Sequence, residues 1–204
     1  MVRKWIVPVA ALLFAGCGEN SNIPLAGDIE AITVEANVST FYATQQVQMT
    51  ATASYTHDIA DRNVTENVTW SESNRTLATV DASGLVSGRS GGGDVNITGS
   101  YKQFGDTATL HVHALTSVAI VAPDANLSNV TQEQTLHLRA EGTFDDNTTL
   151  DVTKSMTWVL GNKGDSNASL EQNGTLYTGD ANGTLDINVS RYDVNASLQI
   201  TVTP

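Results

Sequence analysis

Short runs of alternating apolar and polar residues recur along the chain, and they narrow most sharply what it can fold into. VQMTATASY (residues 47–55), DVNITGSY (94–101), LHLRAEGTF (136–144) and DINVSRY (186–192) place apolar side chains at alternate positions. A period of two belongs to a strand with one buried and one wet face, because successive side chains of an extended backbone point to opposite sides. Turn signals such as Ser83-Gly84 and Asn173-Gly174 separate the runs, and no segment carries an amphipathic helical pattern. The reading is all-β. About seven short strands in fewer than about a hundred residues point to a β-sandwich, in which two sheets bury one face each.

The strand pattern occurs twice. VTWSESNRTLATVDASGLVSG around Trp70 has a counterpart in MTWVLGNKGDSNASLEQNGTLYTG around Trp158, 88 residues later. DVNITGSY answers to DINVSRY, and TATLHV, ending at Val112, to SLQITV, ending at Val202. Two similar units in tandem are expected, over 29–114 and, in a more divergent form, over 115–204. The chain has one cysteine, so packing alone must join the sheets.

The run TWSESNRTLATVDASGLVSG followed by GGGDVNITGSY resembles the group 2 bacterial immunoglobulin-like domain found in intimins, invasins and other surface proteins. The first unit matches along most of its length; the second keeps the Trp, the glycine turn and the last two strands. The resemblance implies tandem immunoglobulin-like sandwiches exposed at a cell surface, with Trp70 and Trp158 as core residues. It implies architecture and no reaction.

MVRKWIVPVAALLFAGC opens with Arg3 and Lys4, continues with an apolar run and reaches Cys17 after Ala15 and Gly16. This is the layout of an export signal over 1–16, too short to span as a stable transmembrane helix. LFAGC resembles the bacterial lipobox, with Phe14 in place of the usual aliphatic residue. The resemblance implies cleavage before Cys17 and lipidation of its thiol, with 17–28 as anchor and tether. Gly18 after the cysteine, rather than Asp, points to the outer membrane. The membrane lipid is then the first partner.

Thirteen of sixteen asparagines stand in N-x-S/T. Eleven of these also follow Asp or Glu by two residues: Asn37, Asn63, Asn74, Asn96, Asn126, Asn147, Asn167, Asn173, Asn182, Asn188 and Asn195. With 22 acids in 204 residues, chance would supply about 1.4 such cases. One position nearer to the Asn an acid occurs twice, and one position further away it never occurs. Strand alternation accounts for polarity at these places but not for their identity, since Asp and Asn are poor strand formers. D/E-x-N-x-S/T resembles the acceptor of bacterial N-linked oligosaccharyltransferases, which implies dense glycosylation and that enzyme as a partner during maturation.

Catalytic and metal chemistry find little support. His111 and His113 share one strand face, but no third zinc ligand accompanies them in the sequence; His57 and His137 stand alone. No nucleophile, base and orienter set occurs, nor a phosphate-cradling glycine loop. A net charge of −12 repels phosphate backbones, so nucleic acid is not an expected partner. No catalytic residue, metal site or cofactor is expected.

The expected function is therefore that of a non-enzymatic, glycosylated surface lipoprotein with a structural or adhesive role. Two alternatives stand beside it: a surface module that binds a ligand or calcium, DANGT (180–184) faintly resembling an Asp-x-Asn-Gly loop, and an accessory subunit of a secreted enzyme or filament. A surface protein or glycan as ligand stays open. Cys17→Ser is expected to release the chain from membranes; persistence in the membrane fraction with an uncut signal would refute lipoprotein maturation.

Overall fold

The computed structural model describes residues 28–204 except 58, 164, 165 and 181. The signal, Cys17 and all of the tether but Asp28 lie outside the described residues. The fold is all-β, as the alternation requires. Strands β1 (Ile29–Ala36), β2 (Thr40–Tyr42), β3 (Gln46–Tyr55), β4 (Arg62–Asn63), β5 (Thr69–Glu72), β6 (Ala78–Val80), β7 (Leu85–Gly88), β8 (Gly93–Tyr101) and β9 (Phe104–His113) form the first set. One sheet runs β1-β3-β7-β6 with β4 also on β3, and the other runs β2-β9-β8-β5. Most neighbours are antiparallel, but β2 lies parallel to β9, with Phe41 opposite Val112.

The second set comprises β10 (Leu115–Val121), β11 (Val130–Thr131), β12 (Thr135–His137), β13 (Arg139–Phe144), β14 (Thr149–Asp151), β15 (Thr157–Leu160), β16 (Ser169–Leu170), β17 (Thr175–Tyr177), β18 (Gly183–Arg191) and β19 (Val194–Thr203). It repeats the same plan, down to the parallel pairing of β11 with the last strand. The line of chain that forms β3 is here divided at Leu138 into β12 and β13. At that break the Leu138 N–H donates to Gly174 O at 2.9 Å. Gly174 has φ +83°, and a Cβ there would fall 2.2 Å from the Leu138 carbonyl oxygen, so the turn has no room for a side chain.

Burial follows the period of two. In β3, Val47, Met49, Ala51 and Ala53 point inward; in β8, Val95 and Ile97; in β9, Leu110 and Val112. The buried side chains fall into two clusters, one spanning Ile32 to Val112 and the other Leu115 to Val202. No disulfide joins the sheets. In the first set Asp106 on β9 instead reaches across, its Oδ2 accepting the Val34 N–H of β1 at 2.7 Å.

Each cluster contains the same buried clasp. A one-turn 3₁₀ segment begins at Thr65 in the first set and at Thr153 in the second. The Thr65 hydroxyl accepts the Ala51 N–H at 2.9 Å, and its carbonyl accepts Trp70 Nε1 at 3.0 Å. The Thr153 hydroxyl accepts the Ala140 N–H at 2.9 Å, and its carbonyl accepts Trp158 Nε1 at 3.0 Å. A side-chain oxygen two residues earlier, from Asn63 or Asp151, accepts the threonine N–H. The two indoles differ in depth. Trp158 is 2% exposed, whereas Trp70 is half-buried, lying along Gly84 and Gly99.

Truncation should report that difference. Trp158→Ala is expected to cost roughly 3–5 kcal/mol, as for a fully buried large aromatic, and Trp70→Ala less, because part of its surface is already wet. Denaturant unfolding of the two variants checks the order.

Candidate functional site

Two features outside the cores carry chemistry: the array of asparagines and the seam where β9 hands the chain to β10. Ten of the eleven acid-preceded asparagines are exposed, and Asn188 on β18 is half-buried. Four of them have a local structural task. Oδ1 of Asn63, Asn74, Asn126 and Asn173 accepts the N–H two residues on, from Thr65, Thr76, Ser128 and Thr175, at 2.9 to 3.0 Å. This is the Asx turn, in which a short polar side chain mimics a backbone carbonyl. Asn96 and Asn188 sit within strands and accept the hydroxyls of their cross-strand partners, Thr109 and Ser197, at 2.8 and 2.6 Å.

The acids two residues earlier share no single task, although Asp94 and Asp186, like the asparagines after them, meet their cross-strand partners. Among the described residues, Glu171 alone bonds its own asparagine, accepting Asn173 Nδ2 at 3.0 Å. Glu72 pairs with Arg75, Asp94 with His111, Asp145 with His113 and Asp186 with Gln199. Asp180 accepts the Asn167 N–H. Gln132 Nε2 donates to both the Asp180 carbonyl and Asn182 Oδ1.

At the seam, residues far apart in sequence meet. Tyr42, at the end of β2, packs edge-on against Phe144 with centroids 4.6 Å apart and lies 5.2 Å from the His113 ring. His111 stands 4.9 Å from His113, and its Nδ1 is 2.6 Å from Asp94 Oδ1. His113 Nδ1 lies 2.8 Å from Asp145 Oδ1, and the other oxygen of Asp145 accepts the Ala114 N–H at 3.0 Å. Asp146 accepts the Tyr42 hydroxyl at 3.2 Å and both donors of Thr148 at 2.9 Å. The hairpin turn of β13 and β14 is thereby latched onto the end of β9.

On another side of the same seam, Arg191 Nη1 donates to Ser155 O at 2.7 Å and Nη2 to Ala43 O at 3.3 Å. The Tyr192 hydroxyl donates to Gly88 O at 3.1 Å, and Ser155 Oγ to Thr44 O at 3.3 Å.

The histidine pair thus gains neighbours that spacing did not reveal: His113, Asp145 and Asp146 offer ligand atoms within 4.8 Å of one another. Both carboxylates already accept donors, Asp145 from the Ala114 N–H between β9 and β10 and Asp146 from Thr148 of the turn. Burial raises the Asp145 pKa, but the Ala114 N–H and His113 outweigh it and hold the group below its ordinary 3.8. Asp146 is lowered chiefly by the Thr148 N–H, against a smaller desolvation and with help from the Thr148 and Tyr42 hydroxyls. The other two histidines stay apart: His57 is exposed beside Thr56, and His137 is exposed on β12. Tyr42, Arg191 and Tyr192 were not singled out in the sequence. Only the adjacency of Asp145 and Asp146 in a turn could have drawn attention to the seam.

The family match agrees with the fold. Residues 28–112 match the model of the bacterial Ig-like domain (group 2) family. Ice-binding protein 1 of Shewanella frigidimarina is 29% identical over 158 residues, which are 77% of this chain and 17% of that protein. The chain therefore spans about a sixth of that relative's length. Domains 5–6 of the S-layer protein SbsC align with 86% of this chain and 98% of that one, at 16% identity and TM-score 0.37. The Escherichia coli adhesin FdeC aligns with 88% of this chain and 66% of its own, at 16% identity and TM-score 0.36. These structural likenesses carry no argument about function.

The latch should be acid-sensitive. Both carboxyls titrate lower in the fold than in the unfolded chain, so their contribution is complete above about pH 4 and lost as pH falls through their folded values. The drop in denaturation midpoint between about pH 6 and about pH 3 is expected to be smaller for Asp145→Asn than for the wild type. Equal drops would place the acid sensitivity elsewhere.

Proposed function

We propose that the chain is an exported lipoprotein carrying two immunoglobulin-like domains in tandem, N-glycosylated at acid-preceded asparagines, that serves as a structural or adhesive module at the cell surface and not as a catalyst. One observation carries the reading: the acid stands two residues before eleven of thirteen sequons, while the fold gives those acids no common task, Asp94 and Asp186 meeting cross-strand partners and Glu72, Asp145 and Glu171 bonding a nearby arginine, a histidine of another strand and their own asparagine. Turn chemistry explains the Asn and the N–H two residues later at four sites. It does not ask for an acid before them. A transferase that reads the acid, the amide and the hydroxyl together supplies one cause for all three.

The exposure of the asparagines fits a reaction at their side-chain nitrogens, and neutral glycans there would shield loops and strand edges from proteolysis and from pairing with other chains. Asn63 should be modified only before folding, since its hydroxyl partner Thr65 is buried in the clasp.

Asn67 and Asn129 follow Thr65 and Leu127 at the position of the acid, and both are exposed. Glycopeptide mass spectrometry of the native protein is expected to find sugar on many of the eleven acid-preceded sites and little on these two. Asp124→Ala should abolish modification of Asn126 without unfolding the chain. Bare asparagines throughout, or equal occupancy at Asn67 and Asn129, would sink the proposal.

A further inference from the structure

We propose that the cleft on the Arg191 side of the seam is an oxyanion-binding site, suited to a sulfate or carboxylate group, free or carried on an acidic saccharide. The cleft encloses about 420 Å³ and is lined from both strand sets, by Thr44, Gln45 and Arg89 of the first and Lys154, Arg191 and Tyr192 of the second. That volume lies within the range of small-molecule clefts. Its charge is opposite to that of the chain. The protein carries −12 overall, yet three of its eight described Lys and Arg residues converge here and no carboxylate lines the cleft.

In so acidic a chain, cations readily find carboxylate partners, as Arg75 finds Glu72 and Arg139 finds Asp151. Among the described residues, none of Arg89, Lys154 and Arg191 lies within ion-pair distance of one. Arg191 is held in place by neutral oxygens, from Ser155, Ala43 and the Tyr192 hydroxyl, which fix its plane and leave its charge uncompensated. Its Nε is buried and has no hydrogen-bond partner among the described residues. Arg89 and Arg191 both lie over the Tyr192 ring, 5.7 and 4.9 Å from its centroid.

Three like charges gathered in one cleft repel one another, and an anion with several oxygens relieves that repulsion while accepting charge-assisted hydrogen bonds. Gln45 adds a neutral donor: its Oε1 accepts the Tyr42 N–H, which orients the amide nitrogen away from that bond. Because Arg89 belongs to one strand set and Lys154 and Arg191 to the other, a bound oxyanion would also tie the sets together. The inference is independent of asparagine modification.

The test uses the mature chain, titrated with sodium sulfate against sodium chloride at matched ionic strength, with backbone and arginine Nε–H NMR signals as the readout. Saturable shifts are expected at Gly88, Ser155, Arg191 and Tyr192, with a rise in thermal midpoint on sulfate alone. The double variant Arg89→Gln/Lys154→Gln, which keeps Arg191 and its bonds across the seam, is expected to weaken sulfate at least about tenfold, as for losing a charge-assisted hydrogen bond. Lys102→Gln/Lys163→Gln removes equal charge elsewhere and should leave binding intact. A second arm replaces sulfate with a sulfated hexasaccharide, an oligogalacturonate or neutral dextran. Tighter binding of a charged saccharide than of sulfate identifies a glycan as the source, and equal binding per charged group a free anion. Shifts that do not saturate, equal weakening by the two double variants, or binding of dextran as strong as that of the charged sugars would overturn the proposal.

Discussion

A buried threonine at the start of a one-turn 3₁₀ segment organises each half of the molecule. Its hydroxyl satisfies an inward N–H of one sheet, from Ala51 or Ala140, and its carbonyl takes the indole N–H of the tryptophan five residues on. The tryptophan opens a strand of the opposite sheet, so a single residue fixes how the two layers meet. Both polar groups are costly to bury unpaired, which makes the clasp specific as well as stabilising. In a chain with one cysteine and no disulfide between its sheets, this polar contact complements hydrophobic packing where a covalent bridge serves other sandwiches.

Between the two cores the chain continues almost without interruption, from His113 at the end of β9 to Leu115 at the start of β10. A connection that short leaves little freedom, and side-chain contacts reduce it further. Tyr42 is packed against the second cluster although it belongs to the first strand set. The Asp145 and Asp146 latch and the Arg191 and Tyr192 contacts grip different parts of the seam.

The polar surface carries turn chemistry of its own. At Asn63, Asn74, Asn126 and Asn173 the spacing from amide to hydroxyl residue is also the spacing of an Asx turn, so the fold itself favours Asn or Asp at such places. Asp81, Asp146 and Asp151 make the same turn with Ser83, Thr148 and Thr153. Asparagine is therefore one of two residues that would serve. Of the acids that precede it, Asp94 and Asp186 bond the residues opposite them on the neighbouring strands, His111 and Gln199, while Glu72, Asp145 and Glu171 find assorted partners.

The sequence by itself determined the class of fold, because a period of two recurring between glycine turns has only one regular realisation. It also marked the repeat, since Trp70 and Trp158 each stand five residues after the threonine whose carbonyl they bond. The sequon spacing was fully legible, being a property of neighbouring residues. Tertiary structure alone decided that Trp70 is only half-buried where Trp158 is buried, and it alone set the turn at Gly84 and Gly99 of β8 against the Trp70 ring. It alone brought Asp145 to His113 and Arg191 to Ala43, 32 and 148 residues away. Such pairings depend on how the two strand sets meet, and no local periodicity or spacing carries that information.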